Sequence, residues 1–410
     1  MATIPSIAMI PSGYNVNKVY SVLPTDGSGH LDNFARTSTA TRVNPSGLIE
    51  TMATGVPRLD YSDGTCPSLL LEPASTNELQ YSHDFTSSTW TKSNVSIPTV
   101  SSIISPDGTA NAYDVLNSSA GACVIYDNEI GVSTSDSTFS VFVKYKDLQY
   151  ISLRIDGSGD NALFDIINGT IIGSDADVTP IIKDYSNGWF RCSITHTNLL
   201  VVGNAVIQFN ETGVLNSNAM TVIGGGYYLW GAQYEVLSYA TSLIPTAGTI
   251  ISRTQDSASK SGISSLINST QGVFYAEISA LVNTDINNRT ISLSENAANR
   301  VELILSKNGL IQGRFDNASN DITLSKSGLN VSDKNKIALL WKSGKCALWV
   351  NGIKEQENLT FNTFALNSLP NIYFNSSFLG GSSYFYGNVK DLRVYNTALT
   401  DAELTTLTTL

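Results

Sequence analysis

"STFSVFVKYKDLQYISLRIDG", Ser137 to Gly157, contains two runs of alternating character. Phe139, Val141, Val143 and Tyr145 are spaced by two, and so are Ile151, Leu153 and Ile155. A period of two puts successive side chains on opposite faces of a strand, so each run reads as a strand with one buried face. Working outward, "ALFDIING" turns into "TIIGSD" through Asn168-Gly169, a strong hairpin signal. "NGWFRCSITHT", "NAVIQFNET" and "GGGYYLWGAQYEVL" continue the series. Many short strands punctuated by turn residues indicate an antiparallel sandwich or jelly roll over residues 79–246.

A polar connector follows at residues 247–262, although "TIIS" can add an edge strand. A second series then fills residues 263–410, with "GVFYAEISAL", "NRVELILSKN", "LIQGRFDN" and "NKIALLWKSGKCALWVNG" among its strands. Only "TALTDAELTTLTTL" reads as helix, with Thr400 and Glu403 spaced as a capping box. The fold class is therefore all-β, two antiparallel β-sandwiches in tandem behind an irregular N-terminal segment, residues 1–78. That segment is rich in Pro, Gly and Thr and is expected to lean on another body. Within it "PRLDYSDGTCPSLLLEPASTN", Pro57 to Asn77, reads as extended chain with tight corners around one short buried strand, Leu69 to Leu71.

A net charge of −11 argues against nucleic acid and against an anionic membrane surface, both of which need clustered Lys and Arg. No apolar run approaches the roughly 20 residues of a membrane helix, so no insertion is expected. The start, "MATIPSIAMIPSGYNV", has no basic residue before its apolar part and makes a poor signal peptide. The expectation is a protein kept in a cytoplasm, or leaving it by lysis or in a particle. Cys66, Cys123, Cys192 and Cys346 have no CxxC spacing and are expected as reduced thiols.

Little in the chain points to catalysis. His30, His83 and His196 are dispersed, which is poor material for a triad or a zinc site. Glycoside hydrolysis needs two carboxylates facing one cleft. Of Glu277, Glu295, Glu302, Glu355 and Glu357, only the last two lie two apart, where a strand leaves into a loop. The Asp- and Asn-rich stretches at 155–161, 283–288 and 316–321 offer oxygen ligands, but turn chemistry explains them better than calcium. No enzyme activity, metal or cofactor is expected. The five tryptophans are expected in the cores. "NIYFNSSFLGGSSYFYG" differs, because it crowds aromatics around asparagines and a Gly-Gly pair. Tyr373, Asn375, Phe378, Tyr384 and Tyr386 are the candidate ligand contacts, since sugar rings stack on aromatic faces and their hydroxyls pair with amides.

Phe34 to Phe85, with its clusters Arg36–Val43, Gly47–Glu50, Pro57–Tyr61 and Leu69–Asn77, resembles a recurring segment of bacteriophage and prophage virion proteins, chiefly tail-fibre, head-fibre and spike-type. The next domain is similar to the carbohydrate-binding-module-like jelly rolls that follow that segment, at Phe85–Trp90, Asn187–Thr195 and Tyr228–Thr249. Ala347–Gly352 and Phe385–Leu404 look like the closing strands of concanavalin A-like or laminin G-like sandwiches. The resemblance implies a virion surface fibre or spike, assembled in the host cytoplasm, that binds host-surface glycan without catalysis. Other virion proteins would meet residues 1–78, and a homo-oligomer, a trimer in most such fibres, is implied. A capsid or tail decoration protein with little glycan affinity is one alternative, and a polysaccharide depolymerase is another.

Overall fold

The computed structural model describes residues 3–98, 100–127, 130, 135–156, 159–197, 204–376 and 383–410. The chain is nearly all β, in antiparallel sheets, as its period-two patterning predicts. It divides into two compact units, neither of which is a single run of sequence. One compact unit comprises residues 1–39, 52–73 and 255–410, and the other comprises residues 40–51 and 74–254.

The first unit is a sandwich of two large sheets. Its strands are β1 (Ile7–Met9), β2 (Asn33–Ala35), β3 (Arg58–Asp60), β4 (Ser68–Leu71), β5 (Ser257–Lys260), β6 (Gln271–Ala280), β7 (Arg289–Asn296), β8 (Asn299–Leu305), β9 (Ile311–Asn317), β10 (Asp321–Lys326), β11 (Asn335–Lys342), β12 (Lys345–Val350), β13 (Ile353–Asn358), β14 (Asn371–Tyr373) and β15 (Gly387–Tyr395). One sheet runs β13-β12-β11-β6-β15-β4-β3, with β1 also paired to β15. The other runs β10-β9-β8-β7-β14-β5-β2. Alternate residues of both sheets meet in one core, including Phe274, Ile278, Leu293, Leu303, Phe315, Leu339 and Ile372. The sheets approach closely at Gly313, where a Cβ would lie 2.4 Å from Leu339. Helix α1 (Asp401–Thr408) has the expected capping box, and Leu404 packs with Tyr275, Leu340 and Trp349 on the outward face of the first sheet.

Residues 1–78 are divided between the units, 1–39 and 52–73 belonging to the first and 40–51 and 74–78 to the second. Leu69 pairs with Val389 and Leu71 with Gly387, so β4 extends the C-terminal sandwich, and β1 and β2 also join its sheets. Leu69 and Leu71 are fully buried in that core, as the sequence predicts. The expected linker likewise holds β5, hydrogen-bonded between β2 and β14, and an edge pair of Ile251–Arg253 with Ser75–Asn77 in the second unit. Local pattern identifies a short strand, but its partner lies hundreds of residues away.

These contributions are fixed by buried charge. In the first unit Arg36 pairs with Asp256 at 3.1 Å and Arg58 with Glu72 at 2.5 Å. Arg58 also bonds Asp256, and the Glu72 amide donates to Asp256 Oδ2 at 2.9 Å. The two guanidinium groups and two carboxylates are all essentially inaccessible to solvent, so each needs the others.

The second unit is a sandwich of two six-stranded sheets. Val141, Ile151, Leu153 and Ile155 from the two runs at Ser137–Gly157 face its core, with Trp90, Phe164 and Leu229. Ser75 Oγ donates to Glu235 at 2.6 Å, and Asn77 Nδ2 donates to the Ile244 carbonyl at 2.9 Å. The motif residues Arg36, Arg58, Glu72, Ser75 and Asn77 thus hold structure within the units. All five tryptophans are buried. The four cysteines are free thiols, with Cys66 exposed and the others buried.

Candidate functional site: a polar sheet face

The core-facing residues of β7, β8, β9 and β14 leave the intervening ones on the opposite face. Register then sets these in rows. Tyr373 pairs with Ser292, Ser292 with Glu302, Glu302 with Arg314, and Arg314 with Thr323. A second row runs Asn371, Ser294, Arg300, Asp316 and Asp321. With strands about 4.8 Å apart, each row spans roughly 19 Å. Every residue of both rows carries a hydrogen-bonding group.

The centre of this face is charged. Glu302 lies 3.5 Å from Arg300 and 3.8 Å from Arg314, and its side chain is 2% exposed. Arg300 also approaches Asp316 at 3.4 Å. Arg314 holds Asp321 by two bonds, Nε to Oδ1 at 2.7 Å and Nη2 to Oδ2 at 2.5 Å. Burial raises the Glu302 carboxyl above its ordinary range, against the pull of the two guanidinium groups. Asp321, by contrast, is held low, chiefly by its bonds from Arg314. Arg314 and Asp321 are 29% and 51% exposed, so this end of the face meets solvent.

Of the sequence-predicted candidates, Tyr373 stands in the first row and Asn375 is bonded to it through Ser292. Tyr373 is half-buried in the first row, in strand β14 and not in a loop. Asn375 follows it; its carbonyl accepts from Ser292 Oγ at 3.0 Å, and its Oδ1 is buried without a hydrogen-bond partner. Phe374 and Phe385 are core residues, and the Phe385 amide donates to the Phe374 carbonyl. Tyr384 and Tyr386 flank Phe385, with rings stacked 6.1 Å apart at 12°. The Tyr386 hydroxyl donates to Gln255 Oε1 at 3.0 Å. Phe378 lies outside the described residues.

Arg300 and Arg314 were not singled out in the sequence, and Glu302, Asp316 and Asp321 were considered only as carboxylates, not as members of one face. The signal was present, since "NRVEL" and "GRFDN" each place charged residues two apart between core residues. Glu355 and Glu357, the pair considered for catalysis, sit on edge strand β13 and are taken up by lysines. Lys326 approaches Glu355 at 2.9 Å, and Lys345 and Lys354 approach Glu357 at 2.9 and 3.1 Å. The histidines stay apart, with His30 against Ser21, His83 against Ser82 and Trp230, and His196 against Asp160. Among the described residues no three His, Cys, Asp or Glu side chains gather as metal ligands.

No curated protein matches the chain. Several solved structures show some similarity. The CBM40 of the Ruminococcus gnavus IT-sialidase, bound to α2,3-sialyllactose, is 17% identical with a TM-score of 0.31, over 34% of this chain and 83% of that one. Domain 4 of AbnA, a GH43 extracellular arabinanase from Geobacillus stearothermophilus in complex with arabinotriose, is 15% identical with a TM-score of 0.31, over 38% and 73%. A SAP-like pentraxin from Limulus polyphemus is 15% identical with a TM-score of 0.29, over 33% and 69%. The stretch that carries the polar face, residues 276–405, matches the family model of the concanavalin A-like lectin/glucanases superfamily.

Proposed function

We propose that this is a glycan-binding protein of a bacteriophage virion, a surface fibre or spike that holds host-surface saccharide on the polar face of β7–β9 and β14 without cleaving it. The observation that carries the reading is the pair of rows itself. Asn371, Tyr373, Arg314, Asp316, Asp321 and Thr323 keep part of their surface exposed on this sheet, whose strands stand about 4.8 Å apart, a spacing at which several hydroxyls of one oligosaccharide can be met, whereas Ser292, Ser294, Arg300 and Glu302 are buried. Tyr373, half-buried between Ser292 and Ser259, adds an aromatic ring to the face. The lectin/glucanase match over the same residues supports this use of the face. The virion role rests on the resemblance of Phe34–Phe85, and oligomerisation, with a trimer favoured, belongs to it. Many weak sites on one particle would add up through avidity.

A holding role is favoured because Glu302, Asp316 and Asp321 each lie within ion-pair distance of an arginine. One observation favours the depolymerase reading: Glu302 is buried and its carboxyl is raised, as a general acid requires. The test uses labelled full-length protein on a panel of bacterial cells, before and after periodate oxidation of surface diols, with antibody labelling of purified phage particles. Binding that periodate abolishes, together with labelled particles, is expected. Periodate-resistant binding would overturn the glycan role, and unlabelled particles the virion role.

A further inference from the structure

The first unit holds a second polar site, on its other sheet. Glu277 on β6 faces away from the core, because its neighbours Ala276 and Ile278 face into it. Around it open Asp63, Lys334, Asn388 and Lys390, lining a cleft of about 310 Å³. Asp63 belongs to the turn between β3 and β4, so the N-terminal segment closes one wall.

Two features mark the cleft as more than an irregular surface. Glu277 pairs with Asp391 and Ile278 with Val389, which leaves Lys390 as an extra residue without a partner on β6. Such a bulge re-aims a side chain, and here it turns Lys390 toward the cleft. The charges are also sorted. Arg393 takes Asp391 at 2.6 Å, whereas Glu277 meets Lys334 only at 3.6 Å. The side chains of Asp63, Asn388 and Lys390 form no hydrogen bond or ion pair among the described residues.

The chemistry selects a ligand class. Two carboxylates and two ammonium groups make the wall neutral overall. An anion would face Asp63 and Glu277, and a cation would face Lys334 and Lys390. An apolar ligand would strip water from all four without replacing its hydrogen bonds. A hydroxyl both donates and accepts, so a polyol satisfies both kinds of group. The volume stands at the small end of ligand pockets, which run from roughly 300 to 1,000 Å³. We propose that this cleft binds one neutral saccharide unit, separately from the face of β7–β9 and β14. The inference does not rest on that face binding glycan.

The test is calorimetric titration of the full-length protein with glucose, galactose, mannose, N-acetylglucosamine and their disaccharides. At least one is expected to bind, Lys390→Ala and Glu277→Gln are each expected to weaken it about tenfold, and Val214→Ala, at an exposed position of the second unit, is expected to leave it unchanged. Far-UV circular dichroism melts confirm that each variant is folded. Absence of heat from every sugar with the folded wild-type protein would overturn the proposal. So would binding that survives both cleft substitutions, or binding that Val214→Ala weakens equally.

Discussion

Tyr373 is the residue on which the two ways of finding the site converge. Its identity as an aromatic beside asparagine was visible in the sequence, but its placement in strand β14, two strands from Glu302, was not. Tyr373→Ala is expected to weaken glycan binding about tenfold, or about 1.4 kcal/mol, while urea denaturation shows a change below about 1 kcal/mol. Arg314→Ala is expected to weaken binding similarly, because it releases Asp321 and removes one of the two guanidinium groups facing Glu302. A separate prediction concerns His83 in the second unit, where burial pushes the imidazole down to about 4. The unfolded chain takes up this proton near pH 6.5, so the contribution of His83 is full above that value and is lost as pH falls toward 4. Wild-type protein is expected to lose up to about 3 kcal/mol more than His83→Gln between about pH 7.5 and 4.5, measured by urea denaturation.

At the scale of elements, alternation was enough to find most strands. Val301 and Leu303 face the core while Arg300 and Glu302 do not, as their spacing dictates. The helix was legible for the same local reason, since Thr400 and Glu403 close a capping box across one turn. What local pattern could not supply was the partner. Leu69-Leu70-Leu71 reads as a buried strand from its own residues, yet only the fold shows that it pairs with Val389, Asn388 and Gly387. The nearby Arg58 was equally silent, because its partners Glu72 and Asp256 lie 14 and 198 residues away. Arg58→Met would leave two buried carboxylates with fewer partners and is expected to cost roughly 3–5 kcal/mol. Urea denaturation measures this, and a change below about 1 kcal/mol would mean that the network contributes little.

The chain as a whole passes between its two units several times, at 39/40, 51/52, 73/74 and 254/255, and the last of these falls inside the expected connector, residues 247–262. Strands β1 to β4 come before residues 74–254, the larger part of the second unit, and belong to the first. Residues 255–410 expressed alone would therefore expose the edge of β15 and the core positions covered by Ile7, Met9, Leu69 and Leu71. That fragment is expected to aggregate or lack a cooperative thermal transition, read by circular dichroism, whereas the full chain melts cooperatively. The central claim for the whole molecule is that it holds glycan on the face of β7–β9 and β14 and does not cut it. The most direct test is a glycan array with full-length protein, scored on the same spots for bound protein and for released sugar, in wild type and Tyr373→Ala. Binding without release, weakened by the substitution, is expected. Released sugar, or silence on an array that carries bacterial surface polysaccharides, would contradict it.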